Sequence, residues 1–184
     1  MKFINTRQLL VLCLVLVAAG RVPAQVSPEA VADELRQPEL PPECAAIEVP
    51  AGNRLAAHVY AIGVQIYRWT GTHWLLTAPE ANLYADPSYN GKVGIHYGGP
   101  RWRSNSGSWV QGRRLSGCSP SPSGVPWLLL EGTVGWEPGL FEDTTFIQRV
   151  NTANGLTPAD PGTEIGEIRR VPYTAEYYFY KADR

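Results

Sequence analysis

The sequence predicts an all-β fold in a single domain: about nine or ten short, mostly antiparallel strands, with a sandwich preferred over a barrel. Three observations carry this reading. From Ile47 onward, short runs rich in Val, Ile, Tyr and Trp alternate with clusters of Gly, Asn, Pro and Ser, the punctuation of many short strands. No long amphipathic helical pattern lies between those runs, which argues against a parallel βαβ sheet. After an N-terminal leader about 160 residues remain, enough for one domain with a proper core.

The leader, residues 1–24, has the three parts of a secretory signal. Lys2 and Arg7 give a positive start, Leu9 to Ala19 an apolar run, and Val22-Pro23-Ala24 a small-residue exit. The apolar run is about half the length that a membrane-spanning helix needs. Cleavage before Gln25 and a periplasmic or extracellular location are therefore expected. Residues 25–45, rich in Pro, Glu and Ala, read as a mobile lead-in, with a short helical pattern only at Val31 to Leu35. The domain proper is expected over 46–184.

The strands follow in order. Arg54 to Ile62 alternates, setting Leu55, Ala57, Val59 and Ala61 against Ala56, His58, Tyr60 and Ile62. Gly63 reads as a bulge signal before a second run, Val64 to Trp69. Thr70-Gly71-Thr72 turns the chain into His73 to Thr77, and Ala81 to Ala85 reads as another strand. Asn90-Gly91 is a strong turn feeding Lys92 to Tyr97. Arg101 to Arg103 and Ser108 to Arg114 form a hairpin about Ser104 to Gly107. Further strands are expected at Trp127–Val134, Thr144–Asn151, Glu164–Val171 and Ala175–Lys181.

Charge and cysteine content narrow the function classes. Of 16 cationic side chains, Lys2, Arg7 and Arg21 belong to the leader, and the rest face 17 acidic ones. That acidic balance disfavours a general nucleic-acid role. No apolar run after the leader reaches membrane length; even Trp127 to Leu130 is stopped by Pro126 and Glu131. Two cysteines remain, Cys44 and Cys118, which in an exported chain favour a disulfide over two free thiols. No CxxC or Cys/His spacing suggests a structural zinc, and no metal or cofactor site is expected.

Two stretches set polar groups into strand-like segments, where an unpaired group costs about 1–3 kcal/mol. In the first, Gly94 to Trp102, His96 stands beside Tyr97 and Trp102. It is either a neutral core histidine bonded to backbone or a general base, with Glu131 as the carboxylate to serve it. In the second, Phe146 to Thr152, Arg149 either pairs with a carboxylate or recognises an anion. Gln65, Gln148 and Asn151 supply amides to an internal network or to a ligand. The Arg101 to Arg114 hairpin interleaves Trp102 and Trp109 with four arginines, a pattern that either packs its rings inward or binds sugars and polyanions. There is no GxSxG elbow, HExxH helix, phosphate-cradling loop or GxGxxG between a strand and a helix.

A set of ordered motifs carries a resemblance. Gly63-Val64-Gln65-Ile66-Tyr67, Gly94-x-His96-Tyr97-x-Gly99-Pro100-x-Trp102, Pro126-Trp127-Leu128-Leu129-Leu130, Ile147 to Thr152 and Tyr173-x-Ala175-x-Tyr177-x-Phe179-Tyr180 resemble the DUF3455 family of exported bacterial and fungal proteins. The resemblance implies secretion and an all-β domain and transfers no activity or catalytic residue. The chain departs from the family pattern in its cysteines: Trp69 and Ala159-Asp160-Pro161 stand where many members carry a cysteine. Cys44 with Cys118 is then the pairing left to it.

The expected function is non-catalytic binding of a small molecule, glycan or surface component, through Gln65, Tyr97, Trp102, Gln148, Arg149 and Asn151. Competing with it are a secreted hydrolase or lyase using His96 with Glu131, and a structural envelope or stress protein.

Overall fold

A computed structural model describes residues 36–135 and 137–183. The signal-like leader and the helical pattern at Val31 to Leu35 lie outside them. A 3-10 helix, Pro42–Ile47, precedes eight strands: β1 Asn53–Trp69, β2 Trp74–Tyr84, β3 Lys92–Tyr97, β4 Arg101–Ser104, β5 Trp109–Cys118, β6 Trp127–Val134, β7 Thr144–Asn154 and β8 Ile168–Ala182. Each pairs antiparallel with its neighbour in sequence, and β8 returns to pair with β1. The all-β, antiparallel reading therefore holds, while the preferred sandwich gives way to one sheet closed on itself.

Eight strands replace the expected nine or ten because two prolines conceal continuity. The runs on either side of Pro79 are one strand, and so are those flanking Pro172. Proline lacks an N–H and is tolerated where a strand has an open edge. β3 pairs with β2 only from Glu80 onward, and β7 pairs with β8 only from Tyr173 onward, so each proline sits just past the reach of a third strand. Gly63 marks no bulge, since the β1 register breaks fall at Leu55/Ala57 and Ile66/Tyr67. It marks close approach instead: a Cβ there would lie 2.1 Å from the Glu80 carbonyl oxygen.

Strand alternation sorts side chains to two faces. Inside, the small Ala57, Ala61, Ala81 and Ala175 leave room for the rings of Trp102, Tyr173, Tyr177 and Phe179, with Phe141 against Phe179 at one end. Outside β7, β8 and β1, a second apolar cluster joins Leu55, Val150, Tyr178 and Tyr180 to Cys44 and Ile47. The described end of the expected lead-in thus lies on the barrel wall as a strap. A Cys44–Cys118 disulfide, with Cα atoms 5.4 Å apart, fastens it. Such bridges persist in oxidising compartments. No described helix is long and apolar enough to cross a membrane.

Candidate functional site

A cavity of about 480 Å³ occupies the end of the barrel opposite Phe141. All eight strands reach it. β1 contributes Gln65 and Tyr67, β2 Leu76 to Pro79, β3 His96 and β4 Trp102; β5 adds Arg114, β6 Leu128 and Leu130, β7 Arg149 and β8 Tyr177. The exposed Leu76 and Arg114 mark where it meets the surface. Its wall is mainly apolar and aromatic, and among the described residues no Asp or Glu lines it.

His96 reaches this wall because β3 alternates, with Gly94 and His96 inward and Tyr97 outward. Its register partner on β4 is Trp102, and the rings stack with centroids 4.4 Å apart and planes 12° off parallel. Nδ1 lies 2.9 Å from the Arg101 carbonyl oxygen. A carbonyl accepts, so Nδ1–H donates and Nε2 is left as the acceptor nitrogen. Burial pushes the His96 pKa down to about 3; the Arg101 bond works against this and the Arg149 charge adds to it. The imidazole is neutral at ordinary pH.

Arg149 is brought inward by the same alternation in β7, between Gln148 and Val150, which face the strap. Its Nε and Nη2 donate to the Pro126 carbonyl oxygen at 3.2 and 2.7 Å. The expected carboxylate partner is replaced by a neutral one. Its positive charge opposes the effect of burial at Tyr67 and Tyr177, two ring hydroxyls whose pKa values burial holds above the ordinary value. On two further residues of the lining are donors without partners: among the described residues Gln65 Nε2 and Trp102 Nε1 make no hydrogen bond. Both residues are 1% exposed. Gly155, at φ +77°, presses the loop after β7 against Gln65, where an added Cβ would lie 3.0 Å from its Cγ and 2.7 Å from Tyr173 Cβ. Only glycine suits that position.

Of the residues singled out in the sequence, the cavity brings together Gln65, His96, Trp102 and Arg149. The others lie elsewhere. Tyr97 lines a separate pocket with Glu80 and Arg170. Gln148 is buried beneath the strap, where its Nε2 donates to the Ile47 carbonyl and its Oε1 accepts from the Tyr180 hydroxyl. Asn151, at φ 49° where the β7 register breaks, donates to Glu176 on the outside. Glu131 is on the outer face of β6, bonded by Arg113. The Trp102/Trp109 hairpin splits: Trp102 turns into the barrel, while Trp109 lies under Arg101 outside.

Tyr67, Val125, Pro126 and Tyr177 join the site without having been singled out for it, and of the four hairpin arginines Arg114 reaches its rim. For Tyr177 a signal existed. Tyr173, Ala175, Tyr177 and Phe179 recur with period two and form one inward face of β8. A second cavity, of about 440 Å³, lies on the Phe141 side near Arg54, Thr144, Thr145 and Lys181. Its threonine hydroxyls are already bonded, Thr144 to Phe141 and Thr145 to Asn53 and Tyr180. Among the described residues no three His, Cys, Asp or Glu side chains gather as metal ligands do.

These features define an eight-stranded antiparallel barrel with a mainly apolar cavity at one end, lined by an arginine and by two residues, Gln65 and Trp102, that each hold a buried donor without a partner. The chain belongs to the DUF3455 family, described as a protein of unknown function, whose family model matches residues 50–181. No curated protein and no solved structure matches the chain.

Proposed function

We propose that this is an exported, non-catalytic binding domain that holds a small molecule in the cavity at the barrel end. The observation that carries the reading is the pair of buried donors, Gln65 Nε2 and Trp102 Nε1, without partners in the cavity wall. An unmade bond of this kind costs about 1–3 kcal/mol, and a ligand acceptor that reaches either donor offsets its share of that cost. A purely structural barrel gains nothing from it. The leader pattern and the Cys44–Cys118 bridge support export.

The hydrolase or lyase reading is the weaker one. Its base, His96, spends Nδ1 on a backbone carbonyl and is held neutral with a low proton affinity by burial. Glu131, the carboxylate meant to serve it, is on the outer face with Arg113. A base needs to lie within hydrogen-bond reach of its proton and near the working pH in affinity. Neither holds for this pair.

The test is a thermal-shift screen of small metabolites and glycans, followed by amide and indole NMR of any stabilising compound. The expected result is a compound that raises Tm and moves the Trp102 Nε1–H resonance. A screen in which no compound raises Tm, or hits that leave Trp102 unmoved, would overturn the reading.

A further inference from the structure

We propose that the ligand of this cavity is a monocarboxylate with a compact apolar body, its carboxylate on Arg149 and its body against Trp102, Leu128 and Leu130. The inference rests on the reading of the cavity as a binding site and names the chemistry that the site selects.

The sign of the charge comes first. Among the described residues two arginines line the cavity, Arg149 in the wall and Arg114 at the exposed rim, and no acidic side chain accompanies them. Arg149 directs Nε–H and one Nη2–H at the Pro126 carbonyl, a dipole that satisfies two donors and leaves the net charge uncompensated. A guanidinium has five N–H groups, and its planar fork matches a carboxylate. His96 is neutral and presents no competing positive charge.

The amount of charge is set by the surroundings. Beyond Arg149 the wall is mostly Tyr67, Val125, Leu128, Leu130 and rings, with the uncharged Gln65, Thr77 and His96, so a second negative charge would meet no cation but the rim Arg114. A single carboxylate meets the one inner cation. A phosphate dianion has only the exposed rim Arg114 for its second charge.

The two fixed donors complete the selection. Gln65 Nε2 and Trp102 Nε1 both offer N–H, so they select acceptor oxygens, the same preference that Arg149 expresses. The volume suits a body of one ring or a short branched chain. A glycan, rich in hydroxyl donors and poor in apolar surface, uses neither the charge nor the aliphatic wall.

The experiment compares three isosteric probes on the purified protein: 3-phenylpropanoate, 3-phenylpropanamide and 3-phenylpropan-1-ol, with inorganic phosphate as a fourth. Affinity is read by calorimetry and location by the Trp102 indole resonance. The carboxylate is expected to bind about 10–100-fold more tightly than the amide or alcohol, from charge-assisted hydrogen bonds to Arg149. In Arg149→Met that preference should fall to within about twofold, the carboxylate losing far more affinity than the amide or the alcohol. The wild-type ranking needs no variant, so it tests the proposal even if Arg149→Met folds poorly. Equal affinity for the three organic probes, or tighter binding of phosphate, overturns the monocarboxylate assignment and leaves the binding reading standing. If none of the four binds at millimolar concentration, the assignment falls; the metabolite screen then judges the cavity independently.

Discussion

On the outer face of β1 and β8, His58 stacks on Tyr178 with ring centroids 3.9 Å apart; inside the barrel, His96 stacks on Trp102 at 4.4 Å. The two settings look alike and are wired differently. Outside, the histidine belongs to a hydrogen-bonded group gathered on Glu176. His58 Nε2–H donates to Glu176 at 2.8 Å, the Tyr178 hydroxyl donates to the same oxygen, and Asn151 donates to the other. A few residues away Tyr180, Gln148 and Ile47 form a closed chain of hydrogen bonds under the strap. Inside, Gln65 and Trp102 hold donors without acceptors, and Arg149 meets only neutral groups, the Pro126 carbonyl and the Tyr177 hydroxyl. A satisfied polar wall stabilises a fold. An unsatisfied one is kept at a cost, and binding is the return that explains it.

The largest expected effect tests the outer wall. Replacing Cys44 and Cys118 with alanine releases the strap and a bridge that closes 74 residues of chain separation. In the chain-entropy account that removes about 4–5 kcal/mol of stability, read by denaturant unfolding under oxidising conditions. Next comes Gln148→Leu, which leaves the Tyr180 hydroxyl and the Ile47 carbonyl without partners. About 1–3 kcal/mol is lost for each group stranded. A loss well under 1 kcal/mol would mean that water reaches this wall, and the contrast between the two faces would collapse.

Acid sensitivity separates the faces by pH. Burial would raise the Glu176 pKa, but its bonds from His58, Tyr178 and Asn151 outweigh that and hold it below its ordinary value. Its contribution is present above the unfolded pKa and is lost only as pH falls below about 4.5. His96 acts earlier. The unfolded histidine takes up a proton near pH 6.5, whereas the folded one stays neutral down to about 3. The unfolded state therefore binds more protons in between, and stability falls as pH falls, by about 1.4 kcal/mol per unit once below 6.5. Between pH 6.5 and 5 wild type should lose about 2 kcal/mol from His96. His96→Gln, which keeps a side-chain donor for the Arg101 carbonyl, should flatten that slope. An unchanged slope would mean that His96 is already charged or solvated when folded.

Much of the fold was legible because its signals are local. Alternation and turn residues located Lys92–Tyr97 and Trp127–Val134 to the residue. Closure was not legible, because the β1–β8 pairing joins the two ends of the domain and no local pattern separates it from a sandwich. The site was half legible for a related reason. Period-two alternation says that Gln148 and Arg149 face opposite ways but not which way is in, and the register break beyond Val150 resets the count at Asn151. Which polar groups lack partners is visible only when all eight strands stand around the cavity.

The smallest expected effects are the sharpest for function. Gln65→Leu deletes an amide whose Nε2 is unpaired, so it should cost less than about 1 kcal/mol or stabilise slightly, in contrast to Gln148→Leu on the opposite face. A binding wall has this property: its polar residues are dispensable for folding and needed for the ligand. Glu131→Gln should do less still. Arg113 and Glu131 are an exposed pair on the outer face, worth about 0–1 kcal/mol, and the change should leave ligand affinity where it was. If Glu131→Gln instead weakened binding or abolished a turnover, the carboxylate would have to act from the outer face of β6, on the far side of the wall from His96. The division between an inner wall that binds and an outer wall that holds would then be wrong at its simplest point.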